Sequence, residues 1–171
     1  MLDKIRIVKD HPIPGVSYYD ISSITTDYKL FNRVIDDLVH IFVTFAGTNI
    51  TICAIDARGF IFGAALAVKL RLPLLLARKP GKLPGEVVTK EYCLEYGNST
   101  ICMVKEDIPK GDVVIIDDLI ATGGTIRAVK ELLEENGANP IFALSVISLP
   151  SLGFRKSLLG FPVHSLYEVE E

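Results

Sequence analysis

The 171-residue sequence is poor in cysteine, has no uninterrupted apolar run of membrane length and carries no excess of positive charge. Cys53, Cys93 and Cys102 are odd in number and show no C-x-x-C spacing. They read as reduced core thiols, which argues against a disulfide framework or a cysteine-built metal site. The longest uncharged stretches, residues 39–55 and 136–154, are broken by Gly, Asn, Thr or Pro. Each reads as part of a helix and a strand joined by a turn, so no membrane association is expected despite a mean hydropathy of +0.36. The opening MLDKIRIVKD is dotted with charges and has no apolar signal core, which places the protein in the cytoplasm. A formal net charge of −3 gives no general nucleic-acid surface, so any basic patch must be local. No repeat, low-complexity tract or Pro/Ser linker divides the chain, and its length suits one domain, 1–171, with a sizeable core. No Ser-His or Cys-His arrangement suggests a nucleophile.

What is present is organised around residues 113–125, VVIIDDLIATGGT. Val113, Val114, Ile115 and Ile116 predict a strand buried on both faces, ending at the adjacent carboxylates Asp117 and Asp118. Residues 119–125 then supply a turn, and Ile126, Val129, Leu132 and Leu133 are apolar at helical spacing. Such a loop can hold a phosphate. Gly123 and Gly124 let the backbone come close to an anion, Thr122 and Thr125 offer hydroxyls, and the helix aims its free N–H groups and positive dipole end at the loop. It is not a Walker A loop, because no Lys follows the glycines. Two carboxylates side by side are unfavourable unless a cation, hydroxyls or a basic group engages them.

A second strand, turn and helix follows the same plan. Residues 50–55 predict a strand, Asp56-Ala57-Arg58-Gly59 a turn, and residues 60–70 an apolar helix, so Arg58 brings a cation to a helix N-terminus unless it merely pairs with Asp56. After a third strand, residues 72–77, comes RKPGKLPG, a basic loop with Arg78, Lys79 and Lys82 at the same end of the sheet. Residues 90–94 and 99–103 predict a hairpin around Glu95-Tyr96-Gly97-Asn98 that could cover a reactive centre. Before all of these, Asp27 caps a helix reaching residue 45 with the apolar stripe Phe31, Val34, Ile35, Leu38, Ile41, Phe42 and Phe45. Residues 11–23, HPIPGVSYYDISS, predict an extended or turning arm, because Pro12, Pro14 and Gly15 oppose regular helix. Residues 141–148 and 163–167 predict two last strands joined by a connection over 150–160; His164 reads as structural, and His11 has no assigned role. The repeated β-α units argue for an α/β fold, a mainly parallel sheet flanked by helices with a small β-hairpin flap.

VVIIDDLIATGGT closely resembles the phosphoribosyl-pyrophosphate binding motif of type I phosphoribosyltransferases, and IDARGFIFG resembles the same family's pyrophosphate-binding segment. RKPGKLPG, LEYG and the arm PIPGVSYYDIS are similar to the adenine branch of that family, so the resemblance runs from about residue 12 to 167. It implies one phosphoribosyltransferase domain in which residues 1–27 form a base-facing arm and residues 79–104 a basic loop and hairpin flap. The implied reaction is purine salvage, converting adenine and 5-phosphoribosyl 1-pyrophosphate to AMP and pyrophosphate. The implied partners are these small molecules and a second copy of the chain, as a homodimer. The implied cofactor is Mg2+, carried mainly by substrate oxygens and water with no direct protein ligand.

By the same resemblance Asp117 and Asp118 hold the ribose, Ala121, Thr122, Gly123, Gly124 and Thr125 grip the 5′-phosphate, and Arg58 and Lys79 hold the pyrophosphate. Tyr96 contacts the sugar-phosphate region, and Glu95, with Arg58, is assigned to catalysis. Ser17, Tyr18 and Tyr19 face the base. Two positions depart from the family pattern. Tyr19 stands where Arg is common, and Ser148 stands where an acidic residue is common. They leave open an enzyme of the same fold for a 6-oxopurine or a pyrimidine. A non-catalytic phosphoribosyl-pyrophosphate sensor is the other alternative.

Overall fold

Pro12, Pro14 and Gly15 keep residues 11–17 out of regular structure, but the segments on either side of them pair. The structure is a computed structural model that describes residues 4–94 and 97–170. The chain divides into two units, Met1–Asp37 and Leu38–Glu171. In the first, β1 (Arg6–Val8) lies antiparallel to β2 (Tyr18–Asp20), with Arg6 opposite Asp20 and Val8 opposite Tyr18. This ladder replaces part of the irregular arm that the prolines predict. Asp20 holds the corner into α1 (Ser22–Thr25), accepting hydrogen bonds from Ser22 N and Arg6 Nε, each at 2.9 Å. The Ser22 hydrogen bonds, then Arg6, lower the Asp20 carboxyl to about 2. Asp27 Oδ1 accepts from the backbone of Lys29 at 3.0 Å and Leu30 at 3.1 Å, the predicted cap of α2 (Tyr28–Phe45).

In the second unit the strands are β3 (Ile50–Ile55), β4 (Leu74–Ala77), β5 (Val87–Leu94), β6 (Gly97–Val104), β7 (Asp112–Ile120), β8 (Asn139–Ser148) and β9 (Val163–Glu168). The helices are α3 (Gly59–Leu70), α4 (Gly124–Glu135) and the short α5 (Phe154–Ser157). Five strands form a parallel sheet in the order β4-β3-β7-β8-β9, while β5 and β6 pair antiparallel as a separate hairpin. This is the α/β architecture and hairpin that the sequence predicts. The strands read as near-continuous apolar runs because both faces of the sheet are covered. On one face Cys53, Ile115 and Ala143 join a core with Val129, Leu132 and Leu133 of α4 and Ile101 and Met103 of β6. On alternate positions Ile52, Ala54, Val114 and Ile116 are equally buried, and α3 packs on β3, β4 and β7 with Phe62 and Leu66 fully buried.

The topology places a crevice. From β3 the chain steps outward to β4 and later returns to β7 on the opposite side of β3. The carboxyl ends of β3 and β7 therefore border the point where strand order reverses, the usual position of a ligand in an open parallel sheet.

Three local expectations change. β7 does not stop before its carboxylates but runs on through Ile120, because β8 continues the ladder with Leu119 opposite Ile147 and Ile120 opposite Ser148. Phe45 leaves the buried stripe of α2; it is 55% exposed and stacks on His164 with ring centroids 3.9 Å apart. Residues 150–160 hold a 3-10 turn, Pro150–Leu152, and α5 rather than a plain connection.

Candidate active site

The crevice between the ends of β3 and β7 is a cleft of about 240 Å³. Asp56, Ala57 and Arg58 enter it from the turn after β3, Lys79 from the loop after β4, and Asp117, Asp118 and Leu119 from β7. A second hollow, about 130 Å³, is formed by the loop itself, with Ala121, Thr122, Gly123, Gly124 and Thr125 in its wall. Asp117, Leu119 and Thr125 border both spaces, so the carboxylate pair sits where the two meet.

Two glycines make this geometry possible. A Cβ on Gly59 would lie 2.9 Å from the Ile116 carbonyl oxygen and 3.0 Å from Asp117 Oδ1, so the turn after β3 can touch the end of β7 only through a glycine. Gly123 precedes α4 with φ near +79°, a left-handed conformation, and α5 lies directly beneath it: a Cβ there would meet Phe154 and Leu158 at 3.1 Å. The free N–H groups of the first turn of α4 then face the loop. The Asp56–Ala57 peptide is cis.

Charges in the cleft are paired across it. Arg58 Nε lies 2.9 Å from Asp118 Oδ2, an ion-pair distance without hydrogen-bond alignment, so this buried oxygen accepts no hydrogen bond. Asp118 is buried, and Asp117 half-buried with its Oδ1 accepting from Asp118 N at 2.9 Å. Burial lifts the Asp117 carboxyl well above its ordinary range, and the neighbouring Asp118 charge lifts it further. Burial also raises Asp118, while Arg58 pulls it back. Arg58 thus meets Asp118, on the strand across the cleft. Asp56 engages the basic loop, with Arg78 Nε 3.5 Å and Lys79 N 3.4 Å from its Oδ2. Arg78 Nη1 also donates to the Lys82 carbonyl at 3.1 Å, so Arg78 braces the loop and Lys79 lines the cleft. Lys82 is exposed.

An acidic pair, a glycine-hydroxyl loop at a helix N-terminus and two cations thus converge at one end of the sheet. A phosphoribosyl transferase domain model matches residues 20–157. The chain is 41% identical to the adenine phosphoribosyltransferase of Treponema denticola over 97% of its own length and 87% of that protein's. The chain belongs to the adenine phosphoribosyltransferase family. The crystal structure of adenine phosphoribosyltransferase from Thermoanaerobacter pseudethanolicus superposes with a TM-score of 0.93 at 38% identity, covering 99% of this chain and 100% of that one. That from Saccharomyces cerevisiae, complexed with an imino-altritol bisphosphate and adenine, gives 0.89 at 35% identity, covering 96% and 94%.

In this phosphoribosyltransferase the matched segment contains Arg58, Lys79, Asp117, Asp118 and the whole phosphate loop, whereas Ser17, Tyr18 and Tyr19 precede it. These three lie in the first unit. Tyr19 is buried and Tyr18 half-buried, its ring edge-on to His11 at 5.1 Å. Being consecutive in β2, the two tyrosines point to opposite faces. Glu95 and Tyr96 fall outside the described residues. Ser148 is fully buried, with its Oγ 2.8 Å from Ser165 Oγ. His164 packs between Phe45 and Phe142, and burial lowers its pKa, consistent with a structural role.

Tyr92 and Ser99 also line the cleft, opposite each other across the hairpin, and sequence reasoning passed over both. The available signal was strand phase: Val88, Lys90 and Tyr92 alternate onto one face of β5. A wider open hollow of about 420 Å³ lies beside α5 and the start of β9, but it has neither paired carboxylates nor a phosphate loop.

Proposed function

We propose that this phosphoribosyltransferase converts adenine and 5-phosphoribosyl 1-pyrophosphate to AMP and pyrophosphate. The observation that carries the reading is Asp118 Oδ2, a buried carboxylate oxygen that accepts no hydrogen bond beside a phosphate-sized loop. A ribose hydroxyl is the donor it lacks, and the 5′-phosphate one carbon beyond the ring reaches Ala121, Thr122, Gly123, Gly124 and Thr125. Arg58 and Lys79 then face the pyrophosphate at C1 across the cleft. Bond cleavage there develops positive charge on the sugar and negative charge on the departing group. The carboxylates stabilise the first and the cations the second. No protein nucleophile is needed.

The donor set fits a magnesium ion brought by the substrate. It consists of hard carboxylate oxygens, the donor type that a magnesium ion and its bound waters engage. Bound to the phosphates, Mg2+ supplies charge neutralisation of the leaving group. Asp117 and Asp118 would orient the ribose of the substrate that carries that ion.

By family resemblance Glu95 in the flap is assigned to proton transfer at the purine, Tyr96 to the sugar-phosphate region, and Ser17, Tyr18 and Tyr19 in the arm to the base. The same reading takes residues 1–171 as one catalytic domain, cytoplasmic and working as a homodimer. No helix among the described residues is long and apolar enough to span a membrane. Support for the dimer comes from α3, which is apolar on its outer face as well: Ile61 and Val68, two turns apart, are exposed, as is Leu74 of β4, the strand at the edge of the sheet on which α3 packs.

The deciding assay follows pyrophosphate release with phosphoribosyl pyrophosphate, Mg2+ and one base at a time from adenine, hypoxanthine, guanine, xanthine and uracil. Release with adenine alone is the expected result. Turnover with a 6-oxopurine or uracil instead reassigns the base, and silence with all five rejects catalysis in favour of a sensor.

A further inference from the structure

Glu131 and Glu135 stand one turn apart on α4, near its C-terminal end. This is an unfavourable arrangement for a helix. Like charges at this spacing repel, and both oppose the negative end of the helix dipole. Neighbouring pairs do not relieve it. Arg127 Nε is 3.9 Å from Glu131, and Lys130 is taken by Glu134 at 2.7 Å. Relief comes from a different element. Lys90 of β5 places its Nζ 2.5 Å from Glu135 Oε1 and 3.1 Å from Glu131 Oε2, bridging the two acids. Glu135 first, then Glu131, hold the ammonium above its usual range.

Both ends of this contact lead to the cleft. Two residues beyond Lys90, on the same face of the strand, is Tyr92, and opposite Tyr92 is Ser99. Among the described residues these two are the hairpin's polar contribution to the wall of the cleft. At the other end, α4 begins at the phosphate loop, with Thr125 bordering the same cleft. Apolar packing also joins the hairpin to α4 through Ile101, Met103 and Val88. That packing is non-directional and permits sliding, whereas an ammonium shared by two carboxylates fixes position along the helix.

We propose that Lys90, bridging Glu131 and Glu135, is a positioning residue that holds Tyr92 and Ser99 at the wall of the phosphoribosyl-pyrophosphate cleft. It touches no substrate. Its role is to set how far along α4 the hairpin docks, and so how completely the cleft is walled when substrate arrives. The inference rests on the transferase reading above, and the test separates the two, because wild-type turnover reports on that reading and backbone exchange on the latch.

The test compares Lys90→Met, which keeps the apolar stem, with Lys90→Arg and with the charge reversal Lys90→Glu combined with Glu131→Lys and Glu135→Lys. In Lys90→Met the KM for phosphoribosyl pyrophosphate rises roughly three- to fivefold at low salt, a size that ion pairs of this exposure can carry, with kcat little changed. Salt erodes the wild-type advantage. Amide exchange quickens in residues 87–104 and not in β3, β7 or β8. Lys90→Arg and the charge reversal restore both readouts. If folded Lys90→Met keeps wild-type KM and hairpin exchange, or if kcat falls with KM unmoved, the positioning role is overturned. A uniform loss of protection over the whole sheet overturns it equally, since that marks general destabilisation.

Discussion

Arg58 Nε and Asp118 Oδ2 face each other at 2.9 Å across the cleft, joining the turn after β3 to the strand β7 that carries the carboxylate pair. In the proposed reaction each is destined for a different part of the substrate, Arg58 for the pyrophosphate and Asp118 for the ribose. Substrate therefore enters by exchange, replacing one ion pair with two charge-assisted contacts. Arg58→Ala removes the cation aimed at the leaving group and is expected to lower kcat/KM for phosphoribosyl pyrophosphate by about two to three orders of magnitude. Far-ultraviolet circular dichroism should stay at wild type, since Arg58 is partly exposed and its removal opens no core cavity. A folded variant with normal turnover rejects the assignment.

The same pair governs the acid side of the pH profile. Asp117 and Asp118 accept ribose hydroxyls more strongly when ionised, and burial raises the pKa of both. Ribose 5-phosphate binding should therefore weaken, as pH falls, at a higher pH than an ordinary aspartate would dictate. Arg58 pulls Asp118 down. In Arg58→Gln the midpoint of that loss should move up again, as read by calorimetric titration at successive pH values. A midpoint that stays put removes Arg58 as the group that keeps Asp118 ionised.

Raised carboxyl pKa values also cost stability. The folded state holds the Asp117 proton to a higher pH than the unfolded chain does. Between those two pKa values the folded state binds more protons, so stability falls as pH rises through the window, and the loss persists above it. Asp117→Asn abolishes this cost and keeps an acceptor for the Asp118 N–H. The ligand-free variant should melt at a temperature about 2–4 °C higher at neutral pH, the shift of roughly 1 kcal/mol in a chain this size. The gain should vanish once pH falls below the unfolded value, and turnover should be lost. Equal melting of the two proteins at neutral pH contradicts the account.

Much of this was legible in the sequence, and for physical reasons. Doubly buried parallel strands must be continuous apolar runs, so β3, β7 and β8 announce themselves, and a glycine- and hydroxyl-rich turn between strand and helix is a shape that can hold an anion. The same logic misplaced the end of β7. Carboxylates read as a terminus, yet the partner strand β8 carries the ladder past Asp117 and Asp118. Pairings set by tertiary approach were not legible. Arg58 faces Asp118, and Arg78 reaches Asp56, because of the distances between loops, which spacing along the chain does not encode. Tyr92 has no role in the sequence beyond its place in a predicted strand, and the docking of the hairpin is what brings it to the cleft.

Gly59 tests how tightly that cleft is built. A methyl group at this position would stand 2.9 Å from the Ile116 carbonyl oxygen and 3.0 Å from Asp117 Oδ1, both on β7. The carbonyl oxygen cannot retreat, since Ile116 is held in the ladder with β3 and β8. Gly59→Ala must push the start of α3 away from β7, which is expected to cost about 1–3 kcal/mol and to separate Arg58 from Asp118. Chemical denaturation measures the first effect and KM for phosphoribosyl pyrophosphate the second. An unperturbed melting curve rejects the close approach.

The arm offers a test of base recognition that turns on two neighbouring tyrosines. As consecutive residues of β2, Tyr18 and Tyr19 project to opposite faces; Tyr19 is 4% exposed and Tyr18 is half-buried. A buried ring serves packing, so Tyr19→Ala should destabilise by roughly 3 kcal/mol or more. Tyr19→Phe should leave the KM for adenine where it is. Tyr18 has the accessible ring and the looser packing, so Tyr18→Ala should fold and raise the KM for adenine several-fold while the KM for phosphoribosyl pyrophosphate stays the same. The split between the two constants is what assigns the arm to the base. Should Tyr18→Ala leave adenine KM unchanged, the base-facing role passes from this strand to the flap.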